Sequence, residues 1–432
     1  MQWTEHVIWW HVYPLGFVGA DTTGDDRSPQ PRLRRLVPWL DHLLALGANG
    51  LALGPVFASQ THGYDTTDHL AVDLRLGSTD DLVHLLDEAH RRGIRVMLDG
   101  VFNHVGRGHP LVEAALADPN GAEAAMLARD DAGELGVFEG HGGLVALDHA
   151  NPAVADLVTD VMTHWLDLGV DAWRLDAAYT VPTSFWARVL PRVRERHPEA
   201  YVVGEVLHGD YATVVRESGM DSVTQYELWQ GVWHALQEVN LFELDWALQR
   251  HNGFLDSFVP YTFVGNHDVT RIASQVDDER HHPHALVLLF LLGGTPSVYH
   301  GDEVGLRAVK EERFGGDDAI RPAYPETVSE LVDHLDDEQA ATLALHQQLI
   351  GLRRRHPWLH RARSSTLAVA NASLVLEVAA EGGRLLVALN LSDDELALPT
   401  GWQALAGRDE QRRGDALAVG PHGWVVAEPT SP

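Results

Sequence analysis

Four carboxylates in this sequence stand at or just past the ends of short apolar runs: Asp99 after Ile94–Leu98, Asp176 after Val170–Arg174, Glu205 after Tyr201–Gly204 and Asp268 after Tyr261–Val264. A lone acid after such a run serves well as a helix N-cap. Four gathered at one rim would repel one another, which implies shared work on a substrate or on a divalent cation. Arg174 precedes Asp176 by two residues, a spacing that points both side chains the same way along an extended strand. A guanidinium beside a carboxylate holds it ionised, as a nucleophile requires, and a second carboxylate nearby, Glu205, then gains proton affinity. One acid charged and one protonated is the division of labour that cleaves a glycosidic bond. His104 and His267 flank the same acids and suit hydrogen bonds to sugar hydroxyls. Metal ligation by that pair is less well supported, with no third histidine at metal spacing.

Such a cluster needs a scaffold that brings distant strand ends together. Eight runs (Val7–Tyr13, Asn49–Leu53, Ile94–Leu98, Val170–Arg174, Tyr201–Gly204, Asp221–Gln225, Tyr261–Val264 and Pro296–Tyr299) alternate with helical patterns, which predicts βα units and a parallel sheet. Asp80–Arg92 repeats its apolar residues near a 3.6-residue period, and Pro152–Leu168 reads alike with Gly169 as its stop. An open doubly wound sheet meets the alternation as well as a barrel does. The acids are spaced 29 residues (176 to 205) and 63 residues (205 to 268) apart, one and two units of roughly 30 residues in an eightfold barrel. Asp99 to Asp176 is 77 residues, one such unit plus an insertion of about 45. The acids then follow strands 3, 4, 5 and 7 and face the C-terminal mouth, where sites of this architecture are built. The expected fold is a (β/α)8 TIM barrel over residues 1–104 and 152–358, with a short inserted loop domain over 105–151. Residues 359–432 are expected to form a C-terminal antiparallel β-sandwich domain, its alternating runs divided by Gly, Asp and Asn turns.

Composition narrows the partner. Asp and Glu number 62 against 32 Lys and Arg, a net charge of −30, which repels nucleic acid and anionic lipid and suits a neutral substrate. The absence of cysteine excludes disulfides, thiolate catalysis and zinc–cysteine sites. Met1–His6 lacks the pattern of a signal peptide, and the most apolar stretch, Ala285–Leu292, falls far short of the ~20 residues that span a bilayer. A cytoplasmic protein is expected.

Longer strings carry a resemblance. Asp99-Gly100-Val101-Phe102-Asn103-His104, Gly169-Val170-Asp171-Ala172-Trp173-Arg174-Leu175-Asp176-Ala177, Gly204-Glu205-Val206 and Phe263-Val264-Gly265-Asn266-His267-Asp268 resemble the four signature regions of the α-amylase family of glycoside hydrolases, in order. His62–His69 after strand 2 and Tyr299–Leu306 after strand 8 look like further family segments. The resemblance implies Asp176 as nucleophile, Glu205 as general acid/base and Asp268 as a carboxylate that binds ring hydroxyls and stabilises the transition state. It implies that Arg174, His104 and His267 line the reacting-sugar subsite, that Tyr64 stacks beneath the ring and that Asp99 supports the group. Arg321, in Ile320-Arg321-Pro322, resembles a family arginine near the sugar.

Departures bear on the substrate. The short insertion implies an open groove. No cofactor is expected, with calcium the weaker alternative: Asn103 matches a calcium position of many members but lacks a clear partner set, and Asp21–Asp25 only faintly resembles the family's other calcium loop and reads better as a solvated acidic turn. Ala177-Ala178-Tyr179-Thr180 replaces the Lys-His pair of many endo-acting members, and Thr61 stands where the exo-acting branch has a blocking aspartate. The chain looks more similar to the neopullulanase and cyclomaltodextrinase branch, without its N-terminal module. The expected activity is retaining hydrolysis of maltooligosaccharides or related linear or cyclic α-glucans through a glycosyl–Asp176 intermediate. A transglycosylase or isomerase using that intermediate, and a non-catalytic sugar-binding barrel, are the rival readings. Trp9, Trp10, Trp165 and Trp173 are expected in the core, whereas Trp186, Trp229 and Trp233 are candidates for sugar-facing walls.

Overall fold

The computed structural model describes residues 3–313, 315–413 and 416–430. Eight parallel strands, β1 (Trp9–Val12), β2 (Gly50–Leu53), β3 (Arg95–Gly100), β4 (Ala172–Leu175), β5 (Tyr201–Gly204), β6 (Ser222–Val223), β7 (Tyr261–Phe263) and β8 (Thr295–Tyr299), form one sheet in the order β6-β5-β4-β3-β2-β1-β8-β7. Just past β6, the Gln225 N–H donates to Tyr261 O of β7 at 2.9 Å. This is the (β/α)8 barrel, and every one of the eight runs is a strand. Asp99 lies within β3 rather than beyond it, because pairing with β4 continues to Gly100 opposite Leu175.

The strands are buried along nearly their whole length, which is why they read as continuous apolar runs rather than alternating ones. Trp9, Trp10, Trp165 and Trp173 are core residues as expected, and so is Trp186, which is 1% exposed and packs edge-on against Phe185. Its place in the apolar stripe of helix Thr183–Arg196 overrides the wall reading. Trp229 and Trp233 are half-buried.

Local signals set the helix ends. Ser78 and Asp81 form a reciprocal cap at the start of Thr79–Arg91, which buries Leu82, Leu85, Leu86 and Ala89. Asn151 caps Pro152–Asp167, and Gly169, at φ 109°, supplies the left-handed turn beyond that helix. The insertion after β3 holds a short hairpin, His104–Gly106 with Leu144–Ala146, and the helix Pro110–Ala117.

Past residue 362 the chain forms a six-stranded antiparallel sheet from Arg363–Ala370, Ser373–Ala380, Gly383–Asn390, Leu396–Ala397, Trp402–Arg413 and Ala416–Pro429. Ala416–Pro429 pairs with Gly383–Asn390 along one edge and with Trp402–Arg413 along the other. Val375, Leu386, Val425, Leu398 and Trp402 share one core. The chain divides into two compact units: Trp9–Thr224 with Arg321–His334, and Gln225–Ile320 with the chain from Leu335 on.

The second unit buries neutral histidines. Burial pushes His251, whose Nε2 lies 2.8 Å from Gly293 O, down to about 4, His284 to about 4 and His282 to about 3. A histidine whose folded pKa is depressed contributes stability that is present above ~6.5 and lost as pH falls toward the folded value. Burial pushes Asp302 up to about 6; its contribution is present at low pH and lost as pH rises through that value, but it is outnumbered. Stability is therefore expected to fall between pH 7 and pH 5, by about 2 kcal/mol for each such histidine. His251→Gln should remove about that share of the loss in urea melts at the two pH values. An unchanged pH dependence would show that His251 titrates normally.

Candidate active site

One guanidinium organises the acids. Arg174 Nη1 donates to Asp99 Oδ1 at 2.8 Å, to Asp99 Oδ2 at 2.9 Å and to Asp176 Oδ1 at 2.8 Å. Its Nη2 lies 2.8 Å from Glu205 Oε1. The backbone supplies the rest: β3, β4 and β5 are neighbours in the sheet, so residues at their C-terminal ends meet. Asp99, Asp176 and Glu205 are 2%, 7% and 7% exposed. Burial works against the Arg174 charge, but Asp99, Glu205, Tyr64 and Asp176 outweigh it and hold the guanidinium firmly protonated. Burial likewise pushes Asp99 up to about 6, against the pull of Arg174 and the Tyr64 hydroxyl.

Glu205 has a second anchor. Its Oε2 accepts the Ala177 N–H at 2.8 Å, and Ala177 presents that N–H from a left-handed conformation, φ 46°. A non-glycine residue held there stores local strain, of order 1 kcal/mol or more, which the surrounding contacts must offset. Here it aims a backbone donor at the carboxylate one strand away.

Tyr64 donates its hydroxyl to Asp99 Oδ2 at 3.1 Å, and its own carbonyl lies 3.0 Å from His104 Nε2. Burial lowers His104 to about 4, so it is neutral, and Phe138 from the insertion stacks on it with centroids 4.9 Å apart. Arg321 lies over the Tyr13 ring at 4.8 Å and near the Tyr64 ring at 5.9 Å, and Tyr13 donates to His62 O at 2.6 Å. Tyr64, Asp99, His104, Arg174, Asp176, Glu205 and Arg321 thus form one connected set within the first unit. In the second unit His267 Nε2 lies 3.0 Å from Asp268 Oδ2, and the Asp268 N–H donates to Asn266 Oδ1 at 2.8 Å.

The two calcium candidates have other occupations. Asn103 Oδ1 accepts the Thr180 hydroxyl at 2.9 Å, and its Nδ2 lies 3.1 Å from His104 Nδ1. The Asp21 carboxylate accepts the N–H groups of Thr23, Gly24 and Asp26 and the Thr23 hydroxyl, the pattern of a self-capped turn.

Tyr13, Phe138, Ala177 and the Tyr179–Glu139 hydrogen bond of 2.8 Å were not read from the sequence. These contacts join residues far apart in the chain and leave no periodic trace. The one available signal was the place of Tyr13 at the end of the first strand.

The fold and this geometry can be set beside known proteins. Residues 11–130 and 129–373 match the family model described as alpha amylase, catalytic domain. A cyclomaltodextrinase from Bacillus sp is 30% identical over 338 residues, 70% of this chain and 60% of its own length. Another, from Geobacillus thermopakistaniensis, is 26% identical over 98% of this chain and 77% of its length. The chain spans about six-tenths of the first of these relatives. Among solved structures, the cyclic α-maltosyl-(1→6)-maltose hydrolase of Arthrobacter globiformis superposes with a TM-score of 0.81 at 23% identity, over 99% of this chain and 100% of that one. Among the described residues no helix is long and apolar enough to cross a membrane. With the catalytic-domain match running through most of its length, this chain belongs to the α-amylase family.

Proposed function

We propose that the protein is a retaining glycosidase that cleaves α-glucosidic bonds in linear maltooligosaccharides and cyclic α-glucans. The observation that carries this reading is that one guanidinium holds Asp176 on one nitrogen and Glu205 on the other, both at 2.8 Å. Carboxyl groups tethered so closely support the roughly 5 Å separation of retaining enzymes over the ~6.5–9.5 Å gap that admits an attacking water. Asp176 attacks the anomeric carbon while Glu205 gives its proton to the departing oxygen; the glycosidic C–O bond breaks and an ester to Asp176 forms. Glu205 then takes a proton from water, which displaces Asp176 with overall retention. Both Glu205 oxygens meet donors, Arg174 and the Ala177 N–H, so its acid form requires the leaving oxygen to replace one of them. Asp268, by its place in the family string, binds ring hydroxyls, and Tyr64 stacks beneath the ring.

The printed names of the relatives support the substrate class, since they include cyclomaltodextrinases and a maltogenic α-amylase. The test is a panel of maltooligosaccharides, cyclic glucans, pullulan, trehalose and sucrose, with products followed by NMR. Turnover of both linear and cyclic glucans, with the α-anomer formed first, is expected. Larger products accumulating at high sugar concentration would reassign the enzyme to glycosyl transfer. No turnover of any α-glucan would sink the reading.

A further inference from the structure

Two histidines that the glycosidase chemistry does not use face each other in the second unit, His281 Nε2 lying 2.9 Å from His422 Nδ1. Asp278 Oδ2 is 3.8 Å from His281 Nε2, and one ligand-capable atom from each of the three residues lies within 4.8 Å of the others. His281 immediately precedes the helix His282–Leu291, whereas His422 belongs to the last strand, Ala416–Pro429. Both rings are buried.

The outer partner of His422 decides which of its nitrogens carries hydrogen. His422 Nε2 lies 2.9 Å from Asp393 Oδ1, a carboxylate that accepts, so the hydrogen sits on Nε2 and the lone pair on Nδ1. His281 Nδ1 is buried with no hydrogen-bond partner among the described residues, and its Nε2 faces the His422 lone pair. The His422 Nδ1 lone pair, His281 Nε2 and an Asp278 oxygen converge on one point, where a cation that takes the place of the His281 Nε2 hydrogen meets three ligand atoms. A carboxylate behind the His422 imidazole is the kind of outer partner that orients metal-bound histidines. The backbone at His422 is left-handed, φ 53°, and is held by its N–H to Ser392 O at 3.1 Å. Backbone strain of this kind clusters where a side chain must be presented.

We propose that Asp278, His281 and His422 bind a divalent transition metal of the zinc class, which pins the start of His282–Leu291 to the last strand. Two imidazoles and a carboxylate, with water in the fourth position, are ordinary zinc ligands. Zn–N bonds of ~2.0–2.1 Å at a tetrahedral angle place two nitrogens roughly 3.3 Å apart, so the pair opens by about 0.4 Å. Arg280 competes for Asp278, its Nη2 2.7 Å from Oδ2 and its Nε 2.9 Å from Oδ1, but the side chain is half exposed and free to move to solvent. His284 Nε2 is committed to Gly423 O at 2.9 Å and is not a ligand.

The test uses the full, untagged chain, stripped with EDTA and titrated with Co2+ and then Zn2+ at pH 7.5. One Co2+ per chain, with the visible absorption of a four-coordinate site, displacement by Zn2+ and a raised unfolding midpoint are expected. His422→Gln should abolish the band. Asp393→Asn, which changes an almost fully exposed side chain, should weaken binding about 10- to 100-fold. Arg280→Ala should tighten it. The proposal is overturned if no Co2+ band appears, or if binding survives both His422→Gln and Asp393→Asn unchanged. Zinc-independent stability with a pH-dependent midpoint that His422→Gln removes would mean a shared proton instead, and would overturn it as well.

Discussion

Replacing Asp176 with alanine is expected to lower kcat on every α-glucan by about four orders of magnitude or more, roughly 5–6 kcal/mol of barrier, while the protein still folds. Asp176 lies just past β4 and accepts from Arg174, and its removal lightens a crowded cluster of three acids instead of opening a core cavity. Glu205→Gln should behave differently. On glucans, whose leaving oxygen needs a proton, the loss should approach that of Asp176→Ala. On α-glucosyl fluoride, whose leaving group needs little protonation, the first step should survive and the covalent intermediate should accumulate as a burst. Azide should restore Asp176→Ala and yield a product of inverted configuration. Equal losses for both variants on both substrates would contradict the division of roles.

The second large effect is expected at Arg174. Arg174→Met leaves Asp99, Asp176 and Glu205 buried together without their shared counter-charge. Removing one partner from a buried charge network typically costs ~3–5 kcal/mol. Activity should fall by about a thousandfold or more, because the nucleophile loses both its orientation and the charge that keeps it ionised. The pH dependence is the discriminating feature. In the variant the acids' folded pKa values rise above their unfolded ones, so their contribution is present at low pH and lost as pH rises through the new values. The variant's deficit relative to the natural chain should therefore shrink toward pH 5 and widen at pH 8. Arg174→Lys should fold better but remain impaired, since a point charge cannot reach three carboxylates with a planar fork. An Arg174→Met protein as stable as the natural chain at pH 8 would show that the three acids do not depend on it.

The barrel was legible because its strands are buried on both faces and several of its helices stop at a glycine or start at a capping residue. Tyr201–Gly204 was read to the residue, and Gly169 ends its helix as expected. The acids were legible because strand-end position and alternation are local properties. Arg174 was read as the partner of Asp176 from a two-residue spacing and Glu205 as a neighbour on the next strand, but the ion pair between Arg174 and Glu205 was not, since that depends on the direction the guanidinium takes across the strands. Trp186 shows the converse: its place after β4 suggested a sugar wall, but helix phase turns it into the core. The strained Ala177 and the ring of Phe138 on His104 come from tertiary packing, for which one sequence carries no pattern.

The central claim is that Asp176 forms a covalent bond to the sugar, and the most direct measurement is mass spectrometry after incubation with 5-fluoro-α-glucosyl fluoride. The fluorine slows breakdown of the ester more than its formation, so the intermediate persists. One glucosyl equivalent on the peptide that contains Asp176, with hydrolysis of the natural substrate releasing the α-anomer, is the result expected. A label on Glu205 or Asp268, or no label together with release of the β-anomer, would contradict it.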